Sequence, residues 1–302
     1  MDEVLVDELV QQLITNDITT GNGLTLIDTT YGDLVADVLD AIPQHRINDV
    51  VLYDVRDYLP VGLNLLAGQD THAVADNLFG VFDSLFHLSE DAPQSAALFH
   101  ACLLTLAMRG LTFAQISGLL EGGQLGASFR ERYAHTIDHP QLREFWHRYE
   151  HTGGGFELIN PIRQCILPLL QRPYLRASLA QPTGGIDFSE VLGQNKILLV
   201  PRVSGNPGTK LHELVGLLVV TKLREATQSR RNENQRDHVC YVAGGDHLHA
   251  PPTYASHGLT DAIRAASRER YGRDPNEVEK ELQASYAANC GNLTPSKGVG
   301  HN

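Results

Sequence analysis

The chain has 302 residues, 42% of them hydrophobic, which is enough for one large domain or two small ones. Its 36 Asp and Glu residues against 24 Lys and Arg give a net charge of −12, and this disfavours a free-standing nucleic-acid binder, which needs basic patches. The four cysteines lie far apart, no apolar run reaches the ~18–20 residues of a membrane span, and the start "MDEVLVDELVQQL" is unlike a signal peptide. We therefore expect a soluble cytoplasmic protein.

The first seventy residues alternate between helix and strand patterns. Residues 4–14 carry apolar side chains at helical spacing, and "GLTLID" (23–28) reads as a short buried strand. An amphipathic helix is predicted over 32–42, ending before Pro43, and "DVVLYDV" (49–55) predicts a second strand. This alternation indicates the first part of a parallel α/β core, over residues 1–70.

Two further regions complete the predicted organisation. Residues 71–184 contain only helical patterns separated by Gly or Pro, which predicts an all-α insertion. Residues 185–258 return to α/β character: the strand "KILLVPRV" (196–203), a long helix over 211–231, and the apolar run "HVCYVA" (238–243), which predicts a buried strand. We expect residues 259–302 to form a helical, partly disordered tail.

The order of these segments resembles the nucleotide-binding core of the HerA/TraD group of DNA-pumping ATPases, and most closely the coupling proteins of type IV secretion and conjugation. The resemblance starts from "GLTLIDTTYGDLVADVLDAIPQHRINDVVLYDVRDYLPVGLNLL". It continues through "GLTFAQISGLL", "LREFWHRYE", "PYLRASLAQ", "IDFSEVLGQNKILLV" and "LVGLLVVTKLREA" to "CYVAGG". It covers roughly residues 5–250 and implies an incomplete P-loop NTPase core with an all-α insertion.

The departures from this family concern the residues that hold nucleotide. Intact members bind ATP and magnesium and form rings. Their phosphate loop, G-x-x-x-x-G-K-[ST], precedes the first helix, and we expect that loop to be absent here. The family's Asp-Pro-His-Gly-Asp turn matches a turn one residue longer, with Asp28, Gly32 and Asp33 at the corresponding places. The Asp-Glu pair that ends the family's magnesium-binding strand (Walker B) is replaced after Tyr241 and Val242.

At that degenerate Walker B position the chain has Ala243 and Gly244, and the next acid is Asp246. Phosphoryl transfer in this class depends on the loop lysine, the metal and an oriented water. Without them little transition-state stabilisation remains. We therefore expect no intact catalytic residue, no bound cofactor in this chain and only doubtful ring formation.

Two other segments suggest ligand sites. "SGNPGTKL" (204–211) has only Gly208, Thr209 and Lys210 in common with a phosphate loop, and we interpret it as a strand-to-helix connection. The loop at 246–257 offers Asp246, His247, His249 and His257, a pattern able to bind zinc. Because no partner motif occurs elsewhere, we interpret these histidines as polar loop residues and predict no metal site.

A third segment, "RERYAHTIDHPQLREFWHRYE", mixes arginines with aromatic residues. In the family the all-α block faces DNA or a relaxase-type cargo, so Arg143, Trp146 and Arg148 are a candidate DNA or partner face. The interleaved acids also fit an ordinary salt-bridged helical surface.

Three hypotheses follow. The first is a degenerate coupling-protein homologue that does not hydrolyse ATP and binds protein or DNA, its partners being DNA, a relaxase or a secretion-system protein. The second is one fragment of a split or truncated coupling ATPase. The third, from another class, is a zinc-dependent hydrolase.

Overall fold

The computed structural model describes residues 3–29, 34–152, 155–203, 210–229, 238–244 and 257–287. Within these ranges lies a parallel sheet of four strands in the order β2-β3-β1-β4, namely β1 (Gly23–Asp28), β2 (Val50–Leu52), β3 (Ile197–Val200) and β4 (His238–Ala243). In β1, one of the two inner strands, Leu24 lies opposite Ile197 of β3 on one side and Val239 of β4 on the other. The predicted α/β class is therefore confirmed.

Most of the described chain is helical. The helices are α1 (Glu3–Thr20), α2 (Leu34–Ala41), α3 (Thr71–Phe86), α4 (Leu88–Asp91), α5 (Pro93–Met108), α6 (Ile116–Leu120), α7 (Gly123–Tyr133), α8 (Pro140–Thr152), α9 (Phe156–Leu170), α10 (Pro173–Leu179), α11 (Phe188–Gly193), α12 (Leu211–Ser229), α13 (Thr260–Tyr271) and α14 (Pro275–Ala287), with 3₁₀ turns at Gln44–Asp49 and Phe113–Gln115. None of the helices in these ranges combines the length and apolarity needed to cross a membrane.

The two faces of the sheet are covered by different helices. Alternate residues of a strand point to opposite faces, so Leu24 and Leu26 pack on α1 and α2, whereas Ile27 packs on α12. The β1-to-β2 connection through α2 and the β3-to-β4 connection through α12 therefore run over opposite faces. Because it has strands on both sides and helices on both faces, β1 is buried along its whole length.

The helices between β2 and β3 form the larger apolar core. At its centre the ring of Phe82 meets Phe99 edge-on at 5.1 Å and stacks on Phe113 at 5.6 Å. Asp70 starts α3 by accepting hydrogen bonds from the backbone N–H groups of His72 and Ala73. Lys210, just before α12, donates to the carbonyl of Leu85 near the end of α3, which ties this block to the sheet.

The last strand differs from its prediction. The apolar sequence of β4 predicts a buried strand, but β4 pairs only with β1 within the described ranges and lies at the edge of the sheet. Its residues are half-buried or exposed, and Val242 is 61% exposed. The prediction was wrong because the burial of an edge strand depends on its tertiary neighbours, as α13 shows by covering β2, and the local sequence does not specify those neighbours.

The opposite edge of the sheet is covered by α13. The backbone N–H of Leu52 in β2 donates to the Ser267 hydroxyl at 3.0 Å, and both residues are buried. Ile263 of α13 packs in the same core as α2. Helix α13 thus satisfies a hydrogen-bond donor that an edge strand would otherwise present to solvent, while α14 packs on α10 in the helical block.

Candidate functional site

The carboxyl edge of the sheet is the place where a fold of this type binds ligands. Ligands of open α/β sheets lie where connections from neighbouring strands leave toward opposite faces. Here the chain leaves β1 toward α2 on one face and leaves the neighbouring β3 toward α12 on the other. The candidate site therefore lies at the ends of β1, β3 and β4.

At the end of β1, Asp28 is built into the fold. It is 3% exposed, and its Oδ2 accepts the backbone N–H of Leu34 at 3.1 Å. The carboxylate therefore binds the first turn of α2, where a negative charge is favourable. Gly32 and Asp33, the other residues of the acidic turn, lie outside the described residues.

At the end of β4, Thr29 lies beside Ala243 and Gly244, the two residues compared above with the Walker B acids. The backbone N–H and the hydroxyl of Thr29 both donate to the carbonyl of Ala243, at 2.8 and 2.7 Å. A Cβ built on Gly244 would stand 3.1 Å from the Thr29 hydroxyl, closer than most real side-chain contacts. A side chain at Gly244 would therefore need Thr29 to move.

The remaining residues of this strand end contribute no acid. Tyr241 donates its hydroxyl to Asp17 at 2.6 Å, and burial, reinforced by this hydrogen bond and by the charge of Asp17, raises the pKa of Tyr241. Val242 points to solvent, and Asp246 lies outside the described residues. The residues described at the ends of β1 and β4 therefore do not fit a magnesium-nucleotide site.

A charged network that the sequence interpretation missed lies just after β2. Asp54 accepts hydrogen bonds from Arg56 Nε at 2.9 Å and Nη2 at 3.0 Å, with Arg264 of α13 at 3.5 Å. Burial acts to raise the pKa of Asp54, but hydrogen bonds from Arg56 and the charges of Arg56 and Arg264 outweigh it, so the pKa is lowered.

A second pair in the same segment joins Asp57 to Arg268 of α13 at 2.9 Å. The guanidinium of Arg268 also lies 4.7 Å from the centre of the Tyr58 ring. The signal in the sequence is the pair of acids in "YDVRDY", directly after a strand. Arg56 lies in the same segment, but Arg264 and Arg268 follow some two hundred residues later, so local patterns do not reveal the part of the network that α13 supplies.

The predicted arginine and aromatic face on α8 is not formed. Trp146 is 0% exposed, and its indole N–H donates to the Thr105 hydroxyl at 2.9 Å inside the helical block. Arg148 is exposed on another side of the helix, near Glu144 at 3.8 Å, and Arg143 is half-buried. Trp146 therefore cannot stack on a base, and the expectation that it shares a face with these arginines was wrong.

Arg130, from the same segment, is a structural residue. It is buried, its Nε lies 2.5 Å from Glu150, and its Nη1 donates to the carbonyls of Leu119 and Glu121. These contacts join α7 to α8 and to the end of α6. Arg130 and its partners therefore hold helices of the block together.

The remaining candidate ligand groups fall largely outside the described residues. Of the four residues considered as zinc ligands, only His257 is described. It is exposed, and its backbone N–H donates to the carbonyl of Asp40 at 2.8 Å. In the described ranges no cluster of three or more metal-ligating side chains occurs. Residues 204–209 are not described, and Lys210 is engaged with Leu85.

A cavity of about 670 Å³ that no sequence pattern predicts lies where the segment after β2 meets α10 and the start of α14. Two exposed tyrosines line it, Tyr58 and Tyr174. Its volume is in the range of small-ligand and peptide clefts. The signal that could have revealed it is weak, because the tyrosines are 116 residues apart.

Comparison with protein-family models finds none that matches this chain, and comparison with curated proteins finds no significant match. The resemblance to the HerA/TraD ATPases therefore remains a prediction from the sequence.

Proposed function

We propose that this chain is a P-loop-NTPase-like core of the coupling-protein type that does not hydrolyse nucleotide and acts by binding a protein partner. The observation that carries the proposal is the pair of hydrogen bonds from Thr29 to the Ala243 carbonyl at the carboxyl edge of the sheet, here called the Thr29–Ala243 seal. These hydrogen bonds lie at the strand end where the HerA/TraD ATPases, which the sequence resembles, have their metal-binding and water-activating acids.

The chemical reason is the loss of charge at the reacting phosphate. Phosphoryl transfer is catalysed by positioning and by cations that neutralise the developing charge. Asp28 is engaged with α2, and Ala243 and Gly244 carry no carboxylate. The 302-residue sequence also contains no G-x-x-x-x-G-K-[ST] segment.

Charge favours a protein partner over DNA. The chain carries a net charge of −12, and two arginines of the helical block are paired with acids. Arg130 pairs with Glu150, and Arg176 pairs with Glu279 at 3.1 Å. Sequence-independent DNA binding depends on counterion release by basic side chains, and the acidic balance of this chain opposes it.

An assay of ATP hydrolysis by the purified chain tests this proposal, with Asp28→Asn as the matched variant. Asn at this position retains an oxygen that can accept the Leu34 N–H while losing the charge. We expect wild type and variant to be equally inactive. Magnesium-dependent hydrolysis that copurifies with the protein and is lost in Asp28→Asn would contradict the proposal.

One observation favours a second candidate, a fragment of a split coupling ATPase. The outer edge of β4 has no neighbouring strand among the described residues, and Val242 is exposed there. A second chain carrying a phosphate loop could add a strand at this edge. Such a chain should protect Cys240 of β4 from thiol labelling, and lack of protection would exclude assembly at that edge.

A further inference from the structure

We infer that the cavity between Tyr58 and Tyr174, here named the tyrosine cleft, binds an extended, proline-containing segment of a partner protein that carries one basic side chain. This inference rests on the proposed function as a protein-binding module and names the chemistry of the partner. It follows from the composition of the cleft wall, the state of its polar groups and its charge.

The walls of the cleft are aromatic and apolar. Tyr58 is 57% exposed and Tyr174 is 39% exposed, and both line the same cavity together with Leu59, Leu170, Pro173 and Pro275. Aromatic-lined grooves of this kind recognise the polyproline II conformation, because proline rings pack flat against tyrosine rings. Exposed tyrosines are also the side chains most often found at binding hot spots.

The tyrosines belong to rigid parts of the fold. Tyr58 follows Asp57, which is held by Arg268, and the Arg268 guanidinium lies 4.7 Å from the Tyr58 ring centre. Tyr174 is in the first turn of α10, which starts with Pro173. A cleft formed by fixed rings loses little conformational entropy when it binds an extended segment.

The polar groups of the cleft are suited to the backbone of such a segment. Polyproline II has no internal hydrogen bonds, so its carbonyl groups need donors. The side-chain amide of Gln171 and the hydroxyls of Tyr58 and Tyr174 belong to residues that line the cavity, and these groups make no hydrogen bond with the described residues. These groups can donate to the backbone carbonyls of a bound segment.

Charge selects the basic side chain. Three charged residues line the cleft, and two of them, Arg176 and Glu279, neutralise each other at 3.1 Å. The third, Asp274, accepts hydrogen bonds from Asn276 and has no cationic partner among the described residues. One carboxylate thus remains to pair with a Lys or Arg of the segment.

The test is fluorescence anisotropy with a short labelled peptide of the pattern Arg-x-x-Pro-x-x-Pro. We expect saturable binding that Tyr58→Ala or Tyr174→Ala weakens about tenfold each, because truncation of hot-spot tyrosines costs more than 1 kcal/mol. Tyr174→Phe, which keeps the ring and removes one hydroxyl donor, should weaken binding less than Tyr174→Ala does. Leu125→Ala, an exposed apolar residue of α7 outside the cleft, is the control and should bind as wild type does.

Two changes separate the proline from the charge. A peptide with both prolines replaced by alanine should bind about tenfold more weakly. Asp274→Asn, which keeps the oxygen that caps α14, should reduce the salt dependence of binding. Circular dichroism of each variant verifies that it is folded.

Absence of wild-type binding, equal affinity for the alanine peptide, or no effect of the tyrosine variants would overturn the inference. Each of these results would leave the absence of ATP hydrolysis untouched. Conversely, hydrolysis of ATP would overturn the proposed function without affecting a measured peptide affinity.

Discussion

The hydroxyl of Ser267 in α13 accepts the backbone N–H of Leu52 in β2 at a distance of 3.0 Å. This single contact joins residues 215 positions apart and closes one edge of the parallel sheet. Together with the packing of α13 against β2, it accounts for an edge strand that is buried on all three of its residues.

Replacement of this hydroxyl should destabilise the protein. Ser267→Ala leaves the buried N–H of Leu52 without its acceptor, and we expect a loss of about 1–3 kcal/mol in the free energy of unfolding. Urea denaturation measures it. Ser84→Ala, at an exposed serine of α3, is the control and should change stability by less than about 0.5 kcal/mol. Equal effects of the two substitutions would show that Ser267 does not seal the edge.

The Asp54 network should make stability depend on pH in a defined direction. Because the pKa of Asp54 in the folded state is lowered from its ordinary value of 3.8, its contribution is fully present above that value. The contribution is lost as pH falls through the lowered folded-state pKa. We expect the stability difference between wild type and Asp54→Asn to shrink steadily over this acidic window.

The control for this pH series is Glu144→Gln. Glu144 is exposed and lies 3.8 Å from Arg148, so its ion pair is screened by solvent. Its substitution should give a small difference at every pH. If the Asp54→Asn difference stays constant down to the acid transition, the carboxylate is not held ionised by Arg56 and Arg264.

The open edge of β4 should be visible in thiol reactivity. Cys240 is exposed, whereas Cys102 and Cys165 are buried, and burial raises the pKa of Cys165 to about 12. In a Cys290→Ser background, we expect a maleimide to label Cys240 in the native protein and the other two only after unfolding.

The rate of this labelling should increase with pH, because the thiolate is the form that reacts with the maleimide. Mass spectrometry of tryptic peptides locates the label. Protection of Cys240 in the isolated chain would mean that another part of the protein, or a second copy, covers β4.

Nucleotide should not stabilise the chain. A ligand that binds only the native state at a hundred times its Kd adds about 2.7 kcal/mol. With Ala243 sealed by Thr29 and no acid at Gly244, we expect no rise in melting temperature with millimolar Mg-ATP. A reproducible rise that requires magnesium would show that a nucleotide site is present.

Duplex DNA should bind only weakly. Because the net charge is −12, we expect binding that is weaker than the Kd of ~10⁻⁴–10⁻⁶ M typical of non-specific binders. The affinity should depend only slightly on the salt concentration. Arg148→Ala should reduce any residual signal in anisotropy titrations only slightly, because Arg148 is exposed on α8 but lies near Glu144. Sub-micromolar affinity that falls steeply with salt would instead identify a DNA-binding surface.

The sequence by itself determined the elements whose signals are local. The strand at 23–28 has the predicted bounds, and the helices at 34–41 and 211–229 lie within two residues of the predicted ones at each end. Apolar periodicity and turn residues specify such elements because the backbone conformation depends on near neighbours. The alternation of these elements was sufficient to indicate an α/β core interrupted by helices.

Only the tertiary structure decided which of these residues are covered and which are available. The apolar run of β4 became an exposed edge, and the aromatic Trp146, predicted at a surface, became core. The seal between Thr29 and Ala243, the Asp54 network and the tyrosine cleft each join segments that are far apart in the chain. Burial and hydrogen-bond partners depend on which elements pack together, and that information is distributed over the whole fold.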